Sequence, residues 1–238
     1  MINAGSEAIA ALIAMARAKE RLALDEVDGK QVLKIYDIDV PKSVFVNGID
    51  DVASVIAPLK PPLVVKVVSP DVLHKSDAGG VAINLRSVAD VERAITLMSE
   101  TPQLKGKSID GWLIEEMAPA GQEIVIGGVR DPDFGPLVMV GLGGIFVEVL
   151  ADVSFRICPI TRLDAAEMIS ELQGSALLKG IRGAKPVSHE AIVNTLLKVG
   201  GPNGLLIQHS GDFKEVDINP LIVSGHGAVA VDARFILA

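Results

Sequence analysis

The sequence is poor in cysteine and in aromatic residues. Among 238 residues there is one cysteine, Cys158, and aromatic side chains make up 3%. A single cysteine excludes a disulfide framework and a cysteine-rich zinc site, and it makes the cytoplasm the expected compartment. With few aromatic residues, the core must be built from valine, isoleucine, leucine and alanine, a composition that suits sheets covered by helices.

Basic charge and long apolar runs are also scarce. Thirty acidic residues against 22 basic ones give a net charge of −8. This balance argues against nucleic acid or an anionic membrane as a general partner, and an anionic ligand would need a local cluster of cations, backbone N–H groups or a metal. The apolar run at 8–16 is too short to span a bilayer, and the run at 136–147 is broken by glycines. A soluble protein without a targeting segment is expected.

Local patterns predict a mixture of strands and helices. Alternation and turn residues predict strands at 43–47, 63–68, 81–85, 112–117, 123–129, 137–140, 146–150, 205–209, 215–218 and 229–235. Helical spacing of apolar residues predicts helices at 6–24, 26–36, 88–99, 164–172 and 189–199. In the third of these helices, Ser87 stands at the N-cap position with Asp90 three residues later.

The order of these elements favours an α+β fold with mainly antiparallel sheets. Neighbouring strands are joined by short turns at 130–135 and 210–214, and strict strand–helix alternation is absent. A segment rich in lysine and glycine at 104–111 predicts two lobes. Residues 1–110 would form the N-terminal helices and the first lobe, and residues 111–238 the second.

Two common nucleotide-binding motifs fail when their spacing is checked. Gly106, Lys107 and Ser108 resemble the end of a Walker A loop, but Thr101 stands where that motif needs its first glycine. A Rossmann fingerprint opening at Gly141 would need glycine where Phe146 stands. Any nucleotide site must therefore be built in another way.

A lysine in an apolar strand is the first positive signal. Lys66 lies within 63–68, and such a lysine is costly to bury unless an anion or a carboxylate meets it. The following loop contains His74 and Lys75 and returns through Gly79 and Gly80, whose missing side chains allow backbone N–H groups to approach phosphates. An ordinary hairpin in which Lys66 extends to solvent is the alternative.

A second signal is a set of oxygen-bearing side chains near the C-terminus. Alternation places Glu215, Asp217 and Asn219 on one face of a strand. A hairpin through 224–227 would bring Asn219 close to Asp232, and oxygen ligands completed by phosphate are what Mg²⁺ prefers. A pair of exposed polar strand residues is the alternative. Carboxylates at Glu115, Glu116 and Glu123 add groups that suit a ribose hydroxyl.

These segments resemble the ATP-grasp family, and within it the beta subunit of NDP-forming acyl-CoA synthetases, the family of ADP-forming acetate–CoA ligase. The resemblance covers nearly the whole chain. It rests on VVKVVSPDVLHKSDAGGV (64–81), GQEIVIGGVRDPDFGPLVMVGLGGIFVEVLADVSFRICPI (121–160), LLKGIRG (177–183), EVDINPLIV (215–223) and VDARF (231–235). It implies an ATP-grasp fold, in which two lobes enclose ATP or ADP together with Mg²⁺.

The resemblance also implies a role for individual residues. Lys66 would contact the nucleotide phosphates, with Lys75 beside it, and Gly79 and Gly80 would form the loop that covers them. The segment Glu115, Glu116 and Met117 would border the adenine, Glu123 would face the nucleotide, and Arg156 would contact phosphate. Asn219 and Asp232 would hold Mg²⁺. His74 would be the catalytic residue that accepts and donates the phosphoryl group as phosphohistidine.

A partner chain follows from the same resemblance. A CoA-binding alpha subunit would convert acyl-CoA and phosphate to acyl phosphate and carry the phosphoryl group on its own histidine to this chain. No CoA-binding domain fits within the 238 residues, so the resemblance implies a hetero-oligomer of two alpha and two beta subunits. Acyl selectivity and the choice between ADP and GDP are left open.

Two other functions compete with this one. A direct ATP-grasp ligase that works through acyl phosphate would not need His74. A nucleotide-sensing regulatory module would bind ATP without turnover, but such modules often lose catalytic residues. The presence of Lys66, His74, Asn219 and Asp232 together favours the enzyme.

Overall fold

The computed structural model of the chain describes residues 4–72, 75–144, 151–180 and 185–238. Its α-helices are Ala4–Ala18 (α1), Glu26–Ile35 (α2), Val52–Val55 (α3), Val88–Ser99 (α4), Arg162–Glu171 (α5), His189–Gly200 (α6) and Leu205–Gln208 (α7). Its strands are Ala23–Leu24 (β1), Ser43–Val46 (β2), Leu63–Val68 (β3), Val81–Leu85 (β4), Gly111–Glu116 (β5), Gln122–Asp131 (β6), Gly135–Leu142 (β7), Val153–Ile157 (β8), Phe213–Ser224 (β9), Gly227–Ala230 (β10) and Ala233–Leu237 (β11).

The chain forms two compact units. The small unit is Pro41–Ala118, and the large unit combines Met1–Val40 with Pro119–Ala238. The sequence placed the division at 110–111, which differs from this arrangement for two reasons. Strand β5 lies in the interior of the small unit's sheet, and β1 near the N-terminus pairs with β11 near the C-terminus.

The small unit contains a four-stranded antiparallel sheet in the order β2-β5-β3-β4. Strand β3 is paired on both sides, so all six of its residues are buried. Val65 and Val67 belong to the apolar cluster that also contains Val91 and Ile95 of α4. Because strand side chains alternate, Val64 and Lys66 lie on the other face.

The large unit contains a seven-stranded antiparallel sheet in the order β1-β11-β9-β6-β7-β8, with β10 paired to β9. Two adjacent glycines distinguish its faces. A Cβ at Gly128 would lie 2.5 Å from Leu206 of α7, whereas a Cβ at Gly127 would lie 3.1 Å from Met139 on the other face. Helices α6 and α7 pack on the Gly128 face, which carries the main apolar core.

Polar caps define where several helices begin. The Ser87 hydroxyl accepts a hydrogen bond of 3.1 Å from the Asp90 N–H at the start of α4, which confirms the predicted cap. Thr161 and Asp164 form a reciprocal capping box at the start of α5. These side chains satisfy N–H groups that have no partner inside the helix.

Most of the predicted elements are present in the described residues, with several differences. The helix predicted at 6–24 ends at Ala18, and 23–24 forms strand β1. The strand predicted at 205–209 is wrong, because 205–208 forms the short helix α7 after Gly204. The strand predicted at 229–235 is two strands, β10 and β11, interrupted at 231–232. The strand predicted at 146–150 lies outside the described residues. Among the helices of the described residues, none has the length and apolar character needed to cross a membrane.

Candidate nucleotide and metal sites

Lys66 forms a buried ion pair in the small unit. Its Nζ lies 2.9 Å from Oε2 of Glu115, and the two side chains are 5% and 1% exposed. The pair lies on the face of the small sheet opposite the apolar cluster, between the adjacent strands β3 and β5. The sequence predicted an anion or a carboxylate next to Lys66, and the structure shows a carboxylate. The carboxylate of Glu115 therefore holds the ammonium group of Lys66 in place.

The glycine pair after Lys75 closes a tight turn into β4. Gly79 has a φ of +66°, a conformation that favours glycine. A Cβ at Gly80 would lie 2.5 Å from Cγ1 of Val67, so only glycine fits against β3. Both N–H groups donate inside the loop, from Gly79 to the Ser76 carbonyl and from Gly80 to the Lys75 carbonyl. Binding of phosphate through these N–H groups would therefore require the turn to open. His74 lies outside the described residues.

The end of β5 is held by backbone hydrogen bonds within the small unit. The N–H of Glu116 donates to the Lys42 carbonyl and that of Met117 to the Pro62 carbonyl, each at 2.9 Å. The Glu116 carboxylate accepts from the Lys60 N–H at 3.0 Å. Because both N–H groups are engaged, recognition of a base at this segment would have to use other backbone atoms.

Asn219 and Asp232 lie opposite each other in the large unit. The Asn219 N–H donates to the Asp232 carbonyl at 3.1 Å, at the break between β10 and β11. The predicted approach of these two residues is therefore confirmed at the level of the backbone. Asp232 Oδ1 also accepts from the N–H of Ala233 at 2.8 Å, which orients the carboxylate.

This pair is suited to Mg²⁺ by the chemistry of its donors. It supplies one amide oxygen and one carboxylate, and Mg²⁺ is usually held by one or two carboxylates together with substrate phosphates and water. Within the described residues there is no cluster of three or more His, Cys, Asp or Glu side chains arranged around a metal position. A nucleotide would therefore have to complete the shell.

A groove runs across the face of the large sheet that is not covered by α6 and α7. We call it the sheet groove; its volume is about 280 Å³. It is lined by Val125, Gly127, Gly128, Val129, Leu137, Met139, Phe155, Glu215, Val216, Asp217 and Asn219. One end is therefore apolar, and the other end is acidic and reaches a member of the Asn219–Asp232 pair.

The acidic end contains two carboxylates, Glu215 and Asp217, that the sequence did not assign to the site. Arg234 forms an ion pair with Glu215. Burial raises the pKa of Asp217, with Glu215 and Asp232 adding to the rise and Arg234 opposing it. Nη2 of Arg234 lies 2.9 Å from Oε1 of Glu215. The alternation of side chains predicted Glu215 and Asp217 on the same strand face as Asn219, and this pattern could have assigned both carboxylates to the site. Arg234 carried no comparable signal.

Glu123 lies in the large unit against a glycine turn. Its carbonyl accepts from the N–H of Gly143 at 2.8 Å. A Cβ at Gly143 would lie 2.6 Å from Cβ of Glu123. The side chain of Glu123 is exposed, so it is accessible to a ligand. The close approach of the backbone to Glu123 explains why residue 143 is a glycine.

The structure does not bring Arg156 into the sheet groove. Arg156 alternates with Phe155, which lines the groove, and its side chain instead reaches α5. There Nη1 donates to Oε2 of Glu171 at 3.0 Å. Hydrogen bonds from Arg156 and Ser154 lower the pKa of Glu171 to about 2. This arrangement joins β8 to α5.

The predicted residues divide between the two units, and the structure pairs Lys66 with Glu115 and Asn219 with Asp232. Lys66, Lys75, Gly79, Gly80, Glu115, Glu116 and Met117 belong to the small unit, and Glu123, Asn219 and Asp232 to the large unit. A family profile described as an ATP-grasp domain matches residues 15–237.

The chain belongs to the ATP-grasp family.

Similar ATP-grasp proteins cover this chain along nearly its whole length. The beta subunit of ADP-forming acetate–CoA ligase I from Pyrococcus furiosus is 42% identical over 228 residues, which are 95% of this chain and 96% of the relative. ADP-forming acetate–CoA ligase I from Archaeoglobus fulgidus is 41% identical over 212 residues. That match covers 88% of this chain but only 30% of the relative.

A solved structure supports the ATP-grasp fold directly. Acetyl-coenzyme A synthetase 1 from Ca. Korarchaeum cryptofilum superposes with a TM-score of 0.82 at 38% identity, over 97% of this chain and 100% of the other. That structure is described with coenzyme A and Mg-AMPPCP, and with its phosphohistidine segment pointing towards the nucleotide-binding site. The predicted α+β ATP-grasp fold is therefore confirmed.

Proposed function

We propose that this chain is the ATP-grasp (beta) subunit of an ADP-forming acyl-CoA synthetase. The complete enzyme would interconvert acyl-CoA, ADP and phosphate with the carboxylic acid, ATP and CoA. The observation that carries this proposal is the match to the Pyrococcus beta subunit over nearly the full length of both chains. The buried Lys66 and the adjacent Asn219 and Asp232 add chemical support.

In this proposal each of the predicted residues has its own role in binding the nucleotide. Lys66 contacts the phosphates, and Glu115 holds its ammonium group in place. Lys75 and the turn at Gly79 and Gly80 close over the phosphates, which requires the observed turn to open first. The segment 115–117 borders the adenine, and the exposed carboxylate of Glu123 faces the nucleotide.

Asn219 and Asp232 would hold Mg²⁺ together with the nucleotide phosphates. When bound, the ion supplies positive charge that offsets the negative charge of the transferring phosphoryl group. The residues of this chain orient that charge, because the Asp232 carboxylate is fixed by the N–H of Ala233.

His74 carries the phosphoryl group in this proposal. A neutral imidazole nitrogen attacks the phosphorus of a partner phosphohistidine, so that one N–P bond breaks as another forms. An oxygen of the ADP β-phosphate then attacks the same phosphorus, which forms ATP and releases the imidazole of His74. This role rests on sequence resemblance, since His74 lies outside the described residues.

The partner in this proposal is a CoA-binding alpha subunit, in a complex of two alpha and two beta subunits in the cytoplasm. Support comes from the name of the Pyrococcus relative, which is a subunit. It also comes from the Archaeoglobus relative, in which a region similar to this chain makes up 30% of a longer enzyme.

Co-purification with a CoA-binding chain tests the proposal. The complex should form ATP from acetyl-CoA, ADP and phosphate in the presence of Mg²⁺, and this chain alone should bind Mg-ATP without turnover. Two results would contradict the proposal. Turnover of a carboxylate with an amine or thiol by the chain alone would indicate a direct ligase, and nucleotide binding without turnover in the complex would indicate a sensing module.

A further inference from the structure

We propose that Asp71 is a positioning residue for His74, an inference that rests on the proposed function. Phosphoryl transfer through a histidine requires its imidazole to be held close to the phosphorus and in line with the bond that breaks. The proposed function does not say which group anchors this part of the chain. His74 itself lies outside the described residues, but the residues just before it are bonded to a distant segment of the small unit.

The anchor consists of three hydrogen bonds among Ser69, Asp71 and Ser108. The Ser69 hydroxyl donates to the Ser108 carbonyl at 2.6 Å, and Oδ2 of Asp71 accepts from the Ser108 N–H at 2.8 Å. The Asp71 N–H donates to Oγ of Ser69 at 3.1 Å, which joins the two loop residues to each other. We call these three residues the Ser108 clasp. It holds together residues that are 37 positions apart in the sequence.

Ser108 is a firm attachment point because its own segment is fixed on both sides. On one side, Leu104 is 1% exposed and belongs to the apolar cluster of the small unit. On the other side, the N–H of Asp110 donates at 2.8 Å to the carbonyl of Val68 at the end of β3. The clasp therefore ties the loop after β3 to the packed core of the small unit.

The clasp acts close to His74 in the sequence. Val72 follows the clasp and packs against the same apolar cluster. After His74, the carbonyl of Lys75 accepts from the N–H of Gly80 at 2.7 Å. Only residues 73 and 74 separate Val72 from Lys75. Anchors on both sides reduce the conformational entropy that must be lost when the imidazole is brought to the phosphorus.

The clasp is independent of the glycine turn. The hydrogen bonds of the turn run from Gly79 to Ser76 and from Gly80 to Lys75, whereas the clasp uses Ser108. Opening of the turn over the phosphates, which the proposed function requires, would break the bonds within the turn and leave the clasp intact. The clasp is then the anchor that keeps the start of the loop in place during transfer.

Burial does not account for the clasp. Asp71 is exposed, so water would satisfy its carboxylate without Ser108, whereas a buried carboxylate needs a partner. The clasp also gives a role to the segment that fails as a Walker A motif. It uses the backbone N–H and carbonyl of Ser108, and the Ser108 hydroxyl is not part of it.

Replacement of Asp71 tests this role in the complex with the CoA-binding chain. The complex is mixed with γ-labelled ATP and Mg²⁺, and the rate of labelling of His74 is measured in a single turnover. Asp71→Ala should lower this rate by about tenfold or more, because small misplacements are costly in group transfer. The ATP concentration that gives half the maximal rate should stay unchanged. Amide hydrogen exchange at Ser108 should become faster, since its N–H loses its acceptor.

Two control variants separate positioning from general support of the fold. Asp90→Ala removes another carboxylate of the small unit that accepts from a backbone N–H, that of Arg86 at 3.2 Å. It should lower the thermal midpoint at least as much as Asp71→Ala but leave the labelling rate of His74 unchanged. Ser108→Ala should change neither quantity, because the clasp uses only the backbone of Ser108.

The conservative variant Asp71→Asn separates positioning from proton transfer. Its amide oxygen still accepts from an N–H group, but a neutral amide does not take a proton from an imidazole. Asp71→Asn should therefore retain most of the wild-type labelling rate. The dependence of the rate on pH should have the same shape in Asp71→Ala as in the wild type.

Three results would overturn the positioning role: labelling of His74 by Asp71→Ala at the wild-type rate, an equal loss of rate in Asp90→Ala, or an Asp71→Asn variant as slow as Asp71→Ala with a shifted pH profile. Failure of the proposed function gives a different result. The wild-type complex would then carry no label on His74, while exchange at Ser108 would still become faster in Asp71→Ala.

Discussion

Both sheets carry strand cations paired with carboxylates, and one pair from each sheet shows how different the surroundings of such a pair can be. Lys66 and Glu115 are 5% and 1% exposed in the interior of the small sheet. Arg156 and Glu171 are 28% and 48% exposed, where edge strand β8 meets α5. The sequence assigned both cations to phosphate contact, but only Lys66 lies where a buried charge must be compensated.

The difference shows what burial adds to a charged residue. A buried ion pair loses much of its hydration, so its net contribution to stability is small even when breaking it is costly. An exposed pair is screened by water and contributes little in either direction. A buried cation is therefore better explained by function, and an exposed pair by local support of β8 and α5.

The largest expected effect comes from Lys66→Met. This change leaves the Glu115 carboxylate without the ammonium group 2.9 Å away, and we expect a stability loss of about 3–5 kcal/mol. ATP formation in the complex should fall by about a hundredfold or more, since a phosphate contact is lost as well. Urea unfolding and the ATP assay measure the two effects.

The double variant Lys66→Met with Glu115→Leu separates stability from function. Replacing both charges by apolar groups should restore most of the stability, because no carboxylate remains buried. Activity should stay as low as in Lys66→Met. Recovery of activity together with stability would show that Lys66 is only a structural partner of Glu115.

A second prediction extends the contrast to a carboxylate whose proposed counter-charge is a metal. Asp232→Asn should raise the Mg²⁺ concentration needed for half-maximal activity by about tenfold or more. Unfolding in the absence of metal should change little, because the Asp232 carbonyl still accepts from Asn219. An unchanged Mg²⁺ requirement would remove Asp232 from the metal site.

A third prediction concerns the exposed pair. In the folded chain the Arg156 and Ser154 hydrogen bonds lower the pKa of Glu171 from 4.5 to about 2. Ionised Glu171 therefore stabilises the fold above about pH 4.5, and this contribution disappears as the pH falls towards 2. Arg156→Met should be slightly less stable than wild type at pH 7 and equal to it near pH 2. A marked loss of ATP affinity would instead support a phosphate contact.

The smallest expected effect is on Cys158, which follows β8. Burial raises the pKa of its thiol to about 12, so a thiol reagent should react slowly with the folded chain at pH 8. Arg156→Met should speed this reaction modestly by loosening β8 from α5. Fast labelling of the wild type would show that the strand opens readily.

Regular local patterns made much of the fold predictable. Ser87 and Asp90 marked the start of α4, and the short run at 63–68, rich in β-branched valine, identified β3 with its correct bounds. The run at 205–209 failed because a short buried apolar segment has the same composition in a helix as in a strand. The pairing of β1 with β11 was not predictable, since it joins the two ends of the chain.

The site was predictable where it depends on neighbouring strands. A hairpin brings Asn219 and Asp232 together, and this followed from spacing alone. The partner of Lys66 could not be chosen, because Glu115, Glu116 and Glu123 look alike in sequence and only register places Glu115 beside β3. The role of Arg156 also depended on packing, since the approach of α5 to β8 decides what its side chain meets.

The most direct test is to follow labelled phosphoryl through the purified complex. With γ-labelled ATP and Mg²⁺, we expect an acid-labile, base-stable label on His74. A His74→Ala chain should bind ATP normally but should neither carry label nor pass it to the partner. A wild-type complex that makes ATP without any label on His74, or a His74→Ala complex with full activity, would contradict the phosphohistidine relay.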